Sequence, residues 1–281
     1  SIAYRLPLGG SGAFGEVYLG NVGADREAGG GLLETRIEGR TAILALGYPV
    51  LRDVERYGYA LLEARHSETE DDVGGTQFES GVNVIGASWI HGTALPGGGA
   101  LEYAVNLSFG HRFTDASGFD DGERDFWHLR AGFGVETPLP ALGRETTLRA
   151  ELWGQYSPDR LPAIEEFHLG GREDERGYAF AEVTGDTGLS ATIELGHDFF
   201  PAESALRRIR PFGFVDAGFV RNNAPAPVEI EDETLASVGL GVDAEFGGGV
   251  HLRSYVALPL RDAPETEADD PALYLALTKS W

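Results

Sequence analysis

The pattern with the most specific chemical look is residues 8–20, LGGSGAFGEVYLG. It follows the form GxGxFGxVYxG, in which glycines let backbone N–H groups close on a nucleotide phosphate. Phosphoryl transfer of that kind also needs a lysine on the third strand, an HRD catalytic loop and a DFG metal loop. The only lysine is Lys279, neither loop motif occurs, and Ala263-Pro264-Glu265 leaves too little chain for a helical lobe. The bare GxGxxG of Gly10, Gly12 and Gly15 has no helix behind it, as a dinucleotide site requires. The segment therefore reads as a glycine-rich turn between two strands. No GxSxG elbow offers a nucleophilic serine, and cysteine is absent, which removes thiolate nucleophiles, thiolate metal sites and disulfides. His66, His91, His111, His128, His168, His197 and His251 show no HxH or HxxxH spacing for zinc. Acidic clusters at Glu68–Asp72, at Asp120, Asp121 and Glu123, and at Glu265–Asp270 lack the EF-hand ligand pattern and read as solvated loops. The expectation is no catalytic residue, no metal, no cofactor and no enzyme activity.

Charge narrows the partners. Lys and Arg number 22 against 45 Asp and Glu, a formal net charge of −23. Nucleic acid is not an expected partner, because phosphate binding needs a basic face. Apolar residues are 42% of the 281, too many for a disordered acidic chain. No run approaches the ~18 consecutive apolar residues of a membrane-crossing helix.

Period two dominates instead. Leu189, Ala191, Ile193 and Leu195 alternate with Ser190, Thr192, Glu194 and Gly196. Val250, Leu252, Val256, Leu258 and Leu260 share one face, and His251, Arg253 and Tyr255 the other. Leu148, Ala150 and Leu152 oppose Arg149, Glu151 and Trp153, and Val238, Leu240 and Val242 oppose Ser237, Gly239 and Asp243. Such alternation predicts strands. About thirteen are expected: near 1–8, 13–22, 34–49, 57–67, 76–91, 97–113, 124–138, 145–157, 187–200, 208–221, 233–246, 249–260 and 271–281, at the length of ~9–11 residues or more that crosses a bilayer at a tilt. Residues 24–31, 67–75, 114–124 and 228–233 are expected as connectors. Alternation fits both a soluble sandwich and a membrane sheet. Charges such as Glu151, Glu194, Asp243 and Arg253 on the polar face, with almost no lysine, favour an enclosed polar face and an apolar face toward lipid.

Residues 167–188, FHLGGREDERGYAFAEVTGDTG, interrupt the alternation. A connector of this length is usually functional. It holds Gly170 and Gly171, then Arg176, Gly177 and Tyr178, then Gly185, Asp186 and Gly188. Arg176 is a rigid five-donor fork suited to a carboxylate. The stretch resembles the sixth extracellular loop of the outer-membrane superfamily that assembles or secretes β-rich proteins, of form GG-x-x-x-(V/I)-R-G-(Y/F). Residues 209–220, IRPFGFVDAGFV, resemble its strand motif F-x-D-x-G at Phe214, Asp216 and Gly218. Within that superfamily the chain resembles two-partner-secretion transporters, the haemolysin secretion/activation family, with further likeness in residues 41–62 and 3–7. Glu175 departs from the pattern, standing where the family has Val or Ile, and could compete with Asp216 for Arg176.

The resemblance implies an antiparallel transmembrane β-barrel, of sixteen strands in the family, with its sixth loop folded into the lumen and Arg176 latched to Asp216. Glu194 and Asp243 would be further luminal acids. Five expected strands follow the loop and about eight precede it, so residues 1–281 are expected to be a C-terminal barrel domain lacking its first strands and the POTRA domains, and the sheet could stay open. The final segment, with Leu275, Leu277 and Trp281 on one face, resembles the signal read by the barrel-assembly machinery. The implied function is passive secretion of an unfolded β-helical exoprotein of haemolysin or adhesin type across a Gram-negative outer membrane. Lipid, lipopolysaccharide and the assembly machinery would be the other partners. The alternatives are a barrel-assembly factor and a plain porin.

Overall fold

A computed structural model of the chain describes residues 1–28, 33–73, 76–114, 123–202, 205–225 and 230–280, and of residues 22–28, 33–37, 71–73 and 76–78 the backbone alone. The strands are β1 (Ile2–Pro7), β2 (Phe14–Ala28), β3 (Leu33–Arg52), β4 (Arg56–Val73), β5 (Thr76–Ala94), β6 (Ala100–Arg112), β7 (Asp125–Pro138) and β8 (Thr146–Tyr156). After a long connector with two short strands, β9 (Phe167–Leu169) and β10 (Val183–Gly185), come β11 (Thr187–His197), β12 (Leu206–Arg221), β13 (Asp232–Phe246), β14 (Val250–Pro259) and β15 (Ala272–Lys279). Thirteen of them form one sheet in the linear order β1 to β8, then β11 to β15; β9 and β10 pair separately. Among the described residues the sheet is open, with β1 and β15 at its edges, and neighbouring strands such as β1–β2, β11–β12 and β13–β14 pair antiparallel. Among the described residues helix is confined to two single 3₁₀ turns, Pro140–Leu142 and Ala163–Glu165.

Strand number and face agree with the alternation, but several ends do not. Residues 67–73 are strand rather than connector: β3 and β4 stay paired through Arg40↔Glu68 and Glu38↔Glu70. Likewise β2 runs to Ala28. A ladder needs only backbone donors and acceptors, so it continues past the apolar stretch that marks a strand in sequence. Asp120, Asp121 and residues 226–229 lie outside the described residues, and β13 starts at Asp232, within the expected connector 228–233. Gly9 and Gly12, both at positive φ, make the turn between β1 and β2, where Leu8 N–H donates to Ala13 O at 2.7 Å.

The chain divides into two compact units, residues 1–91, 104–131 and 156–166, and residues 92–103, 132–155 and 167–281. In the first, Leu44, Leu62, Ile85 and Phe109 are exposed, whereas Ser67, Ser108, Arg112 and His128 are buried. In the second, Ile193, Val215, Leu240 and Leu273 are exposed, whereas Ser190, Thr192, Glu194, Asp216 and Asp243 are buried. Each unit thus shows apolar side chains outward and polar ones inward, the reverse of a water-soluble sandwich and the arrangement of a sheet whose outer solvent is lipid. Much of the glycine lies on the covered face under aromatic rings: Phe14 covers Gly47, Phe126 covers Gly110, and Phe212 and Phe214 cover Gly241 and Gly239. A side chain at those glycines would occupy the ring's place. No described helix is long and apolar enough to cross a membrane, which does not bear on strands.

Candidate functional site

The site is built on the connector between β8 and β11. Its distal limb folds as a hairpin, with Leu169 opposite Val183 and Phe167 opposite Gly185. Leu169, Tyr178 and Val183 pack with Val220 of β12 and Leu235 of β13, so apolar burial seats the hairpin on the covered face of its unit. Its turn requires left-handed backbone. Gly170 has φ +95° and Gly177 φ +104°, and Gly177 also lies against Ala257 and Pro259, where a Cβ would sit 3.2 Å from each. Gly171 bridges Arg176.

This turn delivers Arg176 to β11 and β12. The alternation of β12 points Phe214, Asp216 and Gly218 inward together, and Asp216 lies opposite Thr192 on β11 and Ser237 on β13. Arg176 donates from Nε to Asp216 Oδ2 at 2.8 Å and from Nη2 to Oδ1 at 2.9 Å, and its backbone N–H donates to Oδ2 at 3.1 Å. Its Nη1 donates to Glu194 Oε2 at 3.1 Å, and the guanidinium stacks 3.4 Å from the Phe214 ring centroid. Thr192 adds a hydroxyl donor to Asp216 Oδ1 at 3.0 Å. Asp216 is fully buried and Arg176 2% exposed. The network goes on: Arg253 of β14 donates to Glu194 Oε2 at 3.1 Å and to Asp243 Oδ2 at 3.2 Å, and Arg210 Nη2 lies 3.9 Å from Glu194 Oε1. The bidentate fork with a backbone donor is the strong form of carboxylate contact, and burial makes its completeness matter.

Glu175 does not compete for Arg176. Its backbone, at φ +41°, turns its carboxylate the other way, where Ser190 Oγ donates to Oε1 at 2.7 Å and Gly170 N–H to Oε2 at 3.4 Å. The space it fills is that above Gly218; a Cβ there would collide with Glu175 Oε1 and with Leu169. Burial pushes the Glu175 carboxyl up to about 7, against the two hydrogen bonds that favour its charge and with the nearby Asp174 and Asp216 charges adding to the rise.

Tyr178 fastens the hairpin to β13 and to the β14–β15 connector. Its hydroxyl donates to Ala236 O at 2.9 Å or to Arg261 O at 3.0 Å, and accepts from Arg261 N–H at 3.2 Å. Sequence reasoning missed Glu182, whose carboxylate accepts from Ala179 N–H at 2.9 Å, from Thr266 N–H at 3.0 Å and from Thr266 Oγ1 at 2.6 Å. Only an acid inside an otherwise apolar run marks it in the sequence. Asp186 is buried and accepts from Asn223 N–H. Elsewhere, Leu275 and Leu277 stand exposed on the edge strand β15, and Trp281 lies outside the described residues. Among the described residues no group of His, Asp and Glu is arranged to hold a metal ion.

Comparison with known proteins follows the same lines. No curated protein matches the chain by sequence. Among solved structures it is similar to CdiB from Escherichia coli, at TM-score 0.74 and 17% identity over 94% of this chain and 49% of that one. It is equally similar to CdiB from Acinetobacter baumannii, at 0.74 and 18% over 99% and 49%. BamA from Haemophilus ducreyi lacking POTRA domains 1-3 is similar at 0.67 and 15%, over 98% of this chain and 61% of that one. At these identities the likeness establishes the fold, and the chain spans about half the length of the CdiB structures. The haemolysin secretion/activation protein family ShlB/FhaC/HecB matches residues 47–244. The linear antiparallel sheet, its apolar exposed face and this match over most of its length agree, and the chain belongs to the haemolysin secretion/activation family.

Proposed function

We propose that the chain is the membrane-embedded part of a two-partner-secretion transporter, passing an unfolded β-helical exoprotein from periplasm to cell surface through a Gram-negative outer membrane. The observation that carries this reading is the long connector of a family member, seated on the polar covered face by Arg176 against Asp216 and Glu194. A buried charge pair of this kind contributes little net stability against an apolar replacement, yet fixes one arrangement and is costly to half-remove. It suits a latch that holds the loop in one place and releases it as a unit. Nothing in this scheme requires a catalytic residue, a metal or a cofactor. Lipid and lipopolysaccharide would meet the exposed apolar face, and the barrel-assembly machinery would read the exposed leucines of β15.

The test is secretion by the full-length protein expressed with its exoprotein. Arg176→Ala should lower the secreted amount roughly tenfold, the effect of a shift of about 1.4 kcal/mol in the loop equilibrium, with the membrane level of the transporter unchanged. Secretion at the unaltered rate would overturn the latch. A change in the assembly of other outer-membrane proteins, with secretion unaffected, would favour the barrel-assembly reading.

A further inference from the structure

The same connector has a proximal limb, residues 157–166, and it carries a charge of the opposite sign. Leu161 and Pro162 are buried, and Leu161 packs with Val82, Val84 and Phe126 on the covered face of its own unit. The 3₁₀ turn Ala163–Glu165 then points Glu165, fully buried, toward two arginines and a histidine. Arg65 Nη2 of β4 lies 2.7 Å from Oε1 and donates to Oε2 at 2.8 Å. His128 Nε2 of β7 is 3.2 Å from Oε2. Arg130 Nη2 is 3.8 Å from the carboxylate and donates to the Glu165 backbone carbonyl at 2.9 Å. Backbone contacts complete the seat: Ser157 Oγ donates to Trp127 O at 2.9 Å, and Trp127 N–H donates to Asp159 Oδ2 at 2.9 Å.

We infer that Glu165 is a second anchor of the connector, so that the connector is held by two buried ionic clusters of opposite polarity, an anion among wall cations at Glu165 and a cation among wall anions at Arg176. Each limb presents a charge opposite to that of its nearest wall partners, Arg65 for Glu165 and Asp216 for Arg176. Withdrawing the carboxylate takes the bonded anion from largely buried Arg65 and a hydrogen-bond partner from fully buried His128, which is the condition under which breaking an ion pair costs most. Burial opposes the Glu165 charge, but hydrogen bonds from His128 and Arg65 and the fields of Arg65 and Arg130 outweigh it and hold the carboxyl at about 2. The anchor's role is to position the proximal limb; transport enters only through the reading proposed above, on which this inference does not depend.

The experiment uses the full-length transporter in membranes without substrate and reads loop position by labelling buried reporters with a membrane-impermeant maleimide. Residues 1–281 hold no cysteine to interfere. Leu161→Cys reports on the proximal limb and Val183→Cys on the distal one. Glu165→Gln should raise labelling at Leu161→Cys about tenfold or more and leave Val183→Cys within about twofold, whereas Arg176→Ala should do the reverse. Reversing the pair, Glu165→Arg with Arg65→Glu, should recover part of the protection lost in Glu165→Arg alone, which a merely space-filling role would not give. Arg65→Gln attacks the cluster from the wall should the Glu165 variants fail to assemble, and it too should expose Leu161→Cys. Unchanged labelling at Leu161→Cys in both Glu165→Gln and Arg65→Gln would overturn the anchor. Because secretion is not the readout, that outcome would leave the transport reading standing.

Discussion

Asp216 and Glu194 both hold Arg176, but they are not equivalent. Among the described residues Arg176 is the cation paired with Asp216, through two side-chain bonds and one backbone bond. Glu194 keeps Arg253 at 3.1 Å and Arg210 at 3.9 Å whatever Arg176 does. Asp216→Asn should therefore loosen the distal limb by about 3 kcal/mol, and Glu194→Gln by about 1 kcal/mol. Maleimide protection at Val183→Cys measures both, and equal costs would contradict the assignment of Asp216 as principal partner. Glu175 adds a pH dependence. Its folded-state value of about 7 stands above its ordinary 4.5, so the folded loop favours the neutral acid. That contribution is intact below about pH 4.5 and is lost as pH rises through about 7. The distal limb should be more protected near pH 5 than near pH 8, after correction for thiol ionisation, and Glu175→Gln should abolish the difference.

At the scale of elements, close approach governs the loop. Gly218→Ala places a methyl where Glu175 and Leu169 lie, and should displace the hairpin at a cost of about 1–3 kcal/mol. Tyr178→Phe removes hydroxyl bonds to β13 and the β14–β15 connector, and should cost about 1 kcal/mol with the fold intact. Denaturant unfolding of the purified protein separates the two, and an unperturbed Gly218→Ala would show that the hairpin has room to shift. Much of this was legible in sequence. Alternation alone put Phe214, Asp216 and Gly218 on one face, and the Arg-Gly-Tyr resemblance pointed Arg176 at Asp216. The direction of Glu175 was not legible, because it depends on a left-handed φ that a residue other than glycine rarely adopts. Nor was Glu165, whose partners Arg65, His128 and Arg130 come from strands far away in the chain. The ends of β2 and β4 were hidden for a different reason: polar residues continue a backbone ladder without announcing it.

For the whole molecule, the reversal of polarity between the two faces of the sheet sets what mutations cost. Leu240 is 74% exposed near the middle of β13, so Leu240→Ala opens no internal cavity and should cost less than about 1 kcal/mol. Leu240→Arg should cost about 2–4 kcal/mol, the penalty for a guanidinium facing hydrocarbon. Unfolding in lipid bilayers distinguishes this from a water-facing leucine, for which the order would be reversed. The covered face has an electrical consequence of its own. Around the loop, Asp216, Glu194 and Asp243 balance Arg176, Arg210 and Arg253 in number, but one of those three cations belongs to the loop and not to the wall. Under the latch proposed above, withdrawal of the distal limb alone would carry that charge away and leave these wall residues net anionic. Single-channel currents through the full-length protein so opened should then favour potassium over chloride, and Asp216→Asn should weaken that preference by removing the acid that withdrawal leaves unpaired.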